Sequence, residues 1–141
     1  MSIEQSPVKS PKQPEPGKKF FTVDEANRAL PYVSRVVDDV TRTYGRVIEL
    51  RQQLDDAFAA DETELETAYE HAMERLGELV DELHTVGVEL KDFERGLVDF
   101  PAIHEDREIL LCWCRGEKQV TKWHEVDAGF AGRQPVELLD S

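Results

Sequence analysis

The chain has 141 residues and a formal net charge of −13, and 40% of its residues are hydrophobic. This length fits one domain with a single core and is too short for two independent domains. A surface of this sign repels phosphate backbones and anionic lipids, so the composition disfavours nucleic acid and membranes as partners. It favours cations or a basic protein partner instead.

The expected cellular location follows from the membrane-spanning and signal segments that the sequence does not contain. No apolar run approaches the roughly 20 residues that span a bilayer, and the first residues have no apolar stretch typical of a signal peptide. The two cysteines, Cys112 and Cys114, occupy alternate positions of a predicted strand, where the geometry is poor for a mutual disulfide. We therefore expect a cytoplasmic protein with reduced thiols.

Residues 1–19 combine four prolines with lysine, glutamate, serine and glutamine, and they contain only Ile3 and Val8 as branched apolar residues. This composition predicts a disordered tail, to which the sequence assigns no role. Residues 20–141 are predicted to form a single domain. Within it, residues 20–87 are expected to form a helical hairpin, and residues 88–141 a β-meander with a C-terminal loop.

The first helix is predicted from a capping box, in which Thr22 is the N-cap and Glu25 lies three residues later. Pro31 predicts a kink or break near Leu30, after which the helix resumes and ends near Ala60. Apolar residues recur along it at helical spacing: Val33, Val37, Val40, Tyr44, Val47, Leu54 and Phe58.

The second helix follows a more regular apolar pattern, and Gly87 is predicted to end it. The stripe consists of Leu65, Tyr69, Ala72, Leu76, Leu79, Leu83 and Val86. A connection through residues 59–62 makes a long antiparallel hairpin with a coiled-coil-like seam and Phe58 opposite Leu65 at its tip. Residues 20–86 contain sixteen acidic and six basic side chains, so this hairpin is an acidic arm.

From residue 88 the apolar pattern changes to alternation, with turn signals near residues 105 and 116. Three strands are predicted, at about 97–104, 107–114 and 119–125. The fold class is therefore α+β, a long antiparallel helical hairpin followed by a small three-stranded antiparallel β-meander.

The strand register decides which side chains can meet. A two-residue turn at residues 105–106 places Phe100 opposite Leu111 on the core face, and Asp99 opposite Cys112 on the second face. Pairing residue 114 with residue 119 in the next hairpin places His124 on the core face.

With this pairing, the second face carries Leu97, Leu110 and Trp123, which need a cover. The C-terminal loop or a second subunit could supply it, and we favour a homodimer.

The ligand types for a divalent metal are concentrated in the C-terminal third. The candidates are Asp99, Cys112, His124 and Asp127, with Cys114 and Glu117 nearby. The predicted register separates His124 from Asp99 and Cys112, so it favours cysteines that pack as small hydrophobic residues.

A different grouping, His124, Glu125 and Asp127 with Arg133 beyond, would form a small acid/base or anion site near a strand end. A metal- or anion-binding domain would be centred on Glu117, His124, Asp127 and Arg133. In the alternative without a site, Asp127 and Arg133 form a pair that holds the loop.

The C-terminal half contains several specific motifs, which include Gly96-Leu97-Val98-Asp99-Phe100-Pro101, Leu111-Cys112-Trp113, Trp123-His124 and Gly129-Phe130-Ala131-Gly132-Arg133-Gln134-Pro135. With these motifs the chain resembles one family, the uncharacterised bacterial family called domain of unknown function 2203. The resemblance covers about residues 20–136 and implies no activity, since the family has none established. Cys114 lies outside the pattern. The polar residues that match are Lys91, Asp92, Asp99, Glu117, His124 and Arg133, and together with Asp127 they are the candidate binding residues.

Two hypotheses about function follow from the sequence. The first is an interaction or assembly module, in which the acidic arm or the sheet meets a partner. The alternative is a metal- or anion-binding domain with a hydrolytic site in the C-terminal third. The sequence assigns no reaction, so it does not decide whether the protein is an enzyme.

Overall fold

A computed structural model describes residues 18–57 and 59–140. Two helices come first, α1 (Val23–Asp56) and α2 (Ala59–Thr85), and five strands follow: β1 (Glu89–Asp92), β2 (Leu97–His104), β3 (Arg107–Cys114), β4 (Lys122–Glu125) and β5 (Gln134–Pro135). The strands form one antiparallel sheet in the order β1-β2-β3-β4-β5. The α+β prediction is confirmed, but the sheet has five strands where three were predicted.

Helix α1 begins as the capping box predicts. The Thr22 hydroxyl accepts the N–H of Glu25 at 3.0 Å, and the Glu25 carboxylate accepts the N–H of Thr22 at 2.9 Å. Of the kink or break predicted near Leu30, the break is wrong, because the helix continues through Pro31. Proline removes one backbone hydrogen bond, but Pro31 lies on the exposed side while Leu30 and Val33 on the other side are buried in the core.

The two helices are antiparallel. The Tyr32 hydroxyl donates to Glu82 near one end of the pair, and Arg51 donates to the Tyr69 hydroxyl further along. The predicted end near Ala60 is late, because Ala57 adopts an extended conformation (φ −76°, ψ 148°) that stops α1 at Asp56. The predicted contact of Phe58 with Leu65 lies outside the described residues, and the coiled-coil seam stays a prediction.

The hydrophobic core lies between the helical hairpin and one face of the sheet. It joins buried side chains from both helices, from β2 to β4 and from the segments around them. Its members include Ala26, Val33, Val37, Val40, Leu79, Leu83, Val98, Phe100, Ile109, Leu111, Trp113 and Trp123. In the part of the chain described, no helix is long and apolar enough to cross a bilayer.

The first β-hairpin has the predicted register. Glu105 and Asp106 form its turn with φ values of 53° and 63°, the left-handed conformation that two-residue hairpin turns adopt. Phe100 pairs with Leu111 and Asp99 pairs with Cys112, as predicted.

The predicted register of the second hairpin is wrong by one residue. Strand β4 begins at Lys122 and pairs His124 with Leu110, so residues 115–121 form a longer connection than expected. That connection is held from outside the strand, because the N–H of Val120 donates to the Asn27 side chain at 2.7 Å. Since side chains alternate, the one-residue shift moves His124 to the face of Asp99 and places Trp123 in the core.

The apolar side chains that were expected to need a cover are buried within the single chain. Leu97, Leu110 and Trp123 are 6%, 4% and 6% exposed. Strand β5 lies beside β4, and the Trp123 indole N–H donates to the carbonyl of Pro135 at 3.2 Å. This burial removes the reason for predicting a homodimer, which stays a prediction without that support.

The residues just before α1 contact the sheet. Of the tail predicted at residues 1–19, residues 1–17 lie outside the described part of the chain, but Lys18 lies 2.7 Å from the buried carboxylate of Glu108. The N–H of Phe21 donates to the carbonyl of Pro101, and the Phe21 ring meets Phe100 edge-on. The segment before α1 is therefore part of the packed domain.

Asn27 connects α1 to the β3–β4 connection, and its loss is expected to be costly. Its amide nitrogen donates to the carbonyl of Val120, and its oxygen accepts the Val120 N–H. Asn27→Ala leaves both groups without these partners, so we expect the free energy of unfolding to fall by about 2 kcal/mol in urea denaturation. The control Arg28→Ala, which removes an exposed ion pair with Asp24, should change it by less than about 0.5 kcal/mol. Equal effects of the two substitutions on the free energy of unfolding would contradict the role of Asn27 as a connection between α1 and the β3–β4 segment.

Candidate functional site

Three neighbouring strands bring together an acid, a thiol and an imidazole on the second face of the sheet. Asp99 lies on β2, Cys112 on β3 and His124 on β4, and their side-chain ligand atoms all lie within 4.8 Å of one another. These residues are 1%, 0% and 3% exposed. The predicted register separated His124 from the other two, and its correction is what forms the cluster.

His124 is held at both ring nitrogens. Nδ1 lies 2.7 Å from the carbonyl oxygen of Glu125, and because a carbonyl can only accept, this nitrogen carries a hydrogen. Nε2 lies 3.1 Å from Oδ1 of Asp99. The hydrogen bond to Asp99, with further support from Cys112, raises the pKa of His124 to about 10. Without a metal, His124 is therefore protonated and lies beside Asp99 in a buried pair.

The cluster opens onto a cavity of about 270 Å³. The buried Asp99 and His124 line it together with the exposed Lys91 and Arg95. The remaining lining residues are Asp92, Leu97, Leu110, Val126, Gly129 and Phe130. A molecule in this cavity would lie against both charged and apolar side chains.

Asp92 shapes the turn beside this cavity. Its carboxylate accepts the N–H groups of Glu94 and Arg95 at 3.0 and 2.8 Å, and it also accepts Nε of Arg95 at 3.1 Å. The backbone and side-chain hydrogen bonds from Arg95 hold the pKa of Asp92 below its usual value. Asp92 therefore acts as an anchor for Arg95, and Lys91 lies beside it on the irregular end of β1.

Glu117 and Arg133 form a separate pair behind β3. Arg133 Nη2 donates to Glu117 at 2.7 Å and to the carbonyl of Cys112 at 3.3 Å, and Glu117 also accepts the N–H of Cys114. Burial raises the pKa of Glu117, but the hydrogen bonds from Arg133 and Cys114 outweigh it, so the pKa is lowered. This pair joins the C-terminal segment to the sheet.

Asp127 stands apart from the cluster, because it is exposed in the turn after β4 and is absent from the group of converging ligands. The predicted pair of Asp127 with Arg133 is replaced by the pair with Glu117. Cys114 also stays outside, with Sγ 3.8 Å from the carbonyl of Arg95. Three of the four predicted metal ligands therefore meet.

Two residues that line the cavity, Arg95 and Phe130, were not predicted from the sequence as site residues. The Arg95 and Arg133 guanidinium groups each lie 4.8 Å from the centre of the Phe130 ring. In the sequence, Phe130 stands out only as part of a family motif, and Arg95 lies in a turn without periodicity. The only sequence signal for Arg95 was its position four residues before Asp99, just ahead of a predicted strand, and this signal was weak.

Residues 19–136 match the model of a protein family described as "Uncharacterized conserved protein (DUF2203)". This range includes the whole cluster and the lining of the cavity. No curated protein and no solved structure matches the chain. Because the matched range is much more than half of the sequence, the chain belongs to the DUF2203 family.

Proposed function

We propose that this domain binds a divalent transition metal through Asp99, Cys112 and His124. The observation that supports the proposal is the convergence of three different ligand atoms within 4.8 Å on a buried sheet face. A thiolate with an imidazole favours zinc and related ions, whereas magnesium and calcium prefer oxygen ligands. Zinc is therefore the first candidate.

The hydrogen bond of His124 supports the same proposal. A metal-binding histidine usually donates its other ring N–H to a carbonyl or carboxylate, which holds the ring and selects the tautomer. His124 does this through Nδ1 and the carbonyl of Glu125. Nε2 then faces Asp99 at 3.1 Å, close to the separation of about 3.3 Å expected between two ligand atoms bound tetrahedrally at about 2.0 Å.

The charges of the cluster also suit a cation. A buried carboxylate next to a thiol needs a positive charge close by, because an unpaired buried charge costs several kcal/mol. The Nε2 proton of His124 supplies that charge when no metal is bound, and a divalent ion would replace both this proton and the proton of the Cys112 thiol. Three protein ligands leave one coordination position, a pattern typical of sites that bind water or a substrate. The cavity beside Asp99 and His124 is where such a molecule would enter.

The test is metal binding by protein purified without an affinity tag. We expect one zinc or cobalt ion per chain and, with cobalt, a thiolate-to-metal charge-transfer band. Cys112→Ser should abolish this band, whereas Cys114→Ser, a matched change two residues away on the same strand, should retain it. If no metal binds and the melting temperature is unchanged by zinc, the proposal is wrong. A charge-transfer band that persists in Cys112→Ser would also contradict it.

The interaction module stays a prediction for the acidic helical arm, as do the homodimer and a basic protein partner. Its main motivation was an uncovered apolar face of the sheet. Since Leu97 and Leu110 are buried within one chain, that motivation no longer holds. We therefore place the metal site first.

A further inference from the structure

The cavity beside the proposed metal site has two kinds of lining. Leu97, Leu110, Val126 and Phe130 supply apolar surface, and Lys91 and Arg95 supply positive charge. Its volume of about 270 Å³ lies just below the range of about 300–1,000 Å³ typical of pockets for drug-sized ligands. A fitting ligand is therefore a small molecule with one polar end and an apolar body.

Arg95 is prepared for an anion. Asp92 binds its Nε, and the guanidinium lies over the Phe130 ring. A planar guanidinium that is held in this way keeps its geometry for a carboxylate, so less entropy is lost when a ligand binds. Phe130 is itself held by a second guanidinium, that of Arg133, at the same distance of 4.8 Å.

The charges around the cavity are already paired. Arg95 pairs with Asp92, and Lys91 Nζ lies 3.1 Å from a carboxylate oxygen of Glu89. The two anionic ligands of the cluster would balance a divalent metal. A carboxylate would therefore bind through direct hydrogen bonds to the guanidinium and through the open metal position.

We propose that the cavity binds a small carboxylate with an apolar body. One carboxylate oxygen occupies the open metal position, the carboxylate also pairs with Arg95, and the body packs against Leu97, Leu110 and Phe130. This inference rests on the proposed metal site, because the metal supplies the open coordination position.

Benzoate and its neutral analogue benzamide test the inference on cobalt-loaded protein. Benzoate should shift the cobalt absorption bands and bind at least about tenfold more tightly than benzamide, since a charge-assisted pair is lost in the amide. Arg95→Gln should weaken benzoate binding about tenfold, and Arg95→Lys should restore part of the loss. Lys118→Gln removes an exposed charge outside the cavity and should leave the dissociation constant unchanged.

The failures of the two proposals can be told apart. If cobalt binds with a thiolate band but benzoate and benzamide bind alike, the carboxylate inference is wrong and the metal site stands. If inorganic phosphate binds as tightly as benzoate, the site prefers a phosphoryl ligand and the inference is also wrong. If cobalt does not bind at all, both proposals fail.

Discussion

Asp99→Asn is expected to weaken zinc or cobalt binding by at least about a hundredfold, whereas Asp127→Asn should leave the affinity within about twofold. The two substitutions are chemically identical, but Asp99 is 1% exposed beside His124, and Asp127 is an exposed turn residue outside the cluster. The amide keeps the shape of the side chain but removes the negative charge that faces the metal. Competition with a chromophoric chelator measures both affinities.

The same pair of variants gives a second result without metal. His124 loses its charged partner in Asp99→Asn, so we expect the metal-free protein to lose about 3 kcal/mol of unfolding free energy. Asp127→Asn should change it by less than about 0.5 kcal/mol. Equal effects of the two changes on metal affinity would contradict the proposed metal site, and equal effects on stability would contradict the buried pairing of His124 with Asp99.

Gly96→Ala is expected to destabilise the fold by about 3 kcal/mol. Gly96 has φ +72°, and an added Cβ would lie 2.8 Å from Val37 Cγ1 and 2.8 Å from Arg115 Cβ. It lies between the turn that holds Arg95 and the start of β2, and its carbonyl accepts the N–H of Arg115. The substitution therefore adds a clash with α1 to the strain of a left-handed backbone. The folding and unfolding rates measured across a range of urea concentrations give the loss of unfolding free energy.

Gly116→Ala is the matched control for this change. Gly116 also has a positive φ, +102°, but no atom lies within 4 Å of its added Cβ. Gly116→Ala should lower the free energy of unfolding only through the strain of its backbone conformation, by about 1 kcal/mol. If the two variants lose the same stability, close packing against Val37 does not contribute, and the account given for Gly96 is wrong.

The candidate site could be predicted in its composition but not in its geometry. Asp99, Cys112 and His124 were identified as ligand types, and the pairing of Asp99 with Cys112 followed from a two-residue turn. Whether His124 joins them depends on the register of β4, which a shift of one residue reverses. That register is decided where Val120 binds Asn27, a residue 93 positions earlier in the chain. Local turn signals contain no information about such a partner.

Strands β1 and β5 were not predicted from the sequence for a similar reason. Strand β1 has four residues and β5 has two, and each is held by pairing with a neighbouring strand. Segments this short show too little alternation for a period to be recognised. Leu97 and Leu110 are buried without a second subunit, and they line the same cavity as Phe130. The cover was in the sequence, in the segment around Phe130 and Pro135, but its position depends on the folded sheet.

The sequence by itself determined the features that local physics decides. The capping box starts α1 at Val23, and Gly87, which has a positive φ, lies just after the end of α2. The turn at Glu105 and Asp106 sets the register of the first hairpin. Only the tertiary structure decided that α1 continues through Pro31 and that His124 meets Asp99 and Cys112. Both outcomes depend on contacts between segments distant in sequence, whose packing outweighs local preference. These contacts convert a set of metal-ligand residue types into one buried cluster beside a cavity.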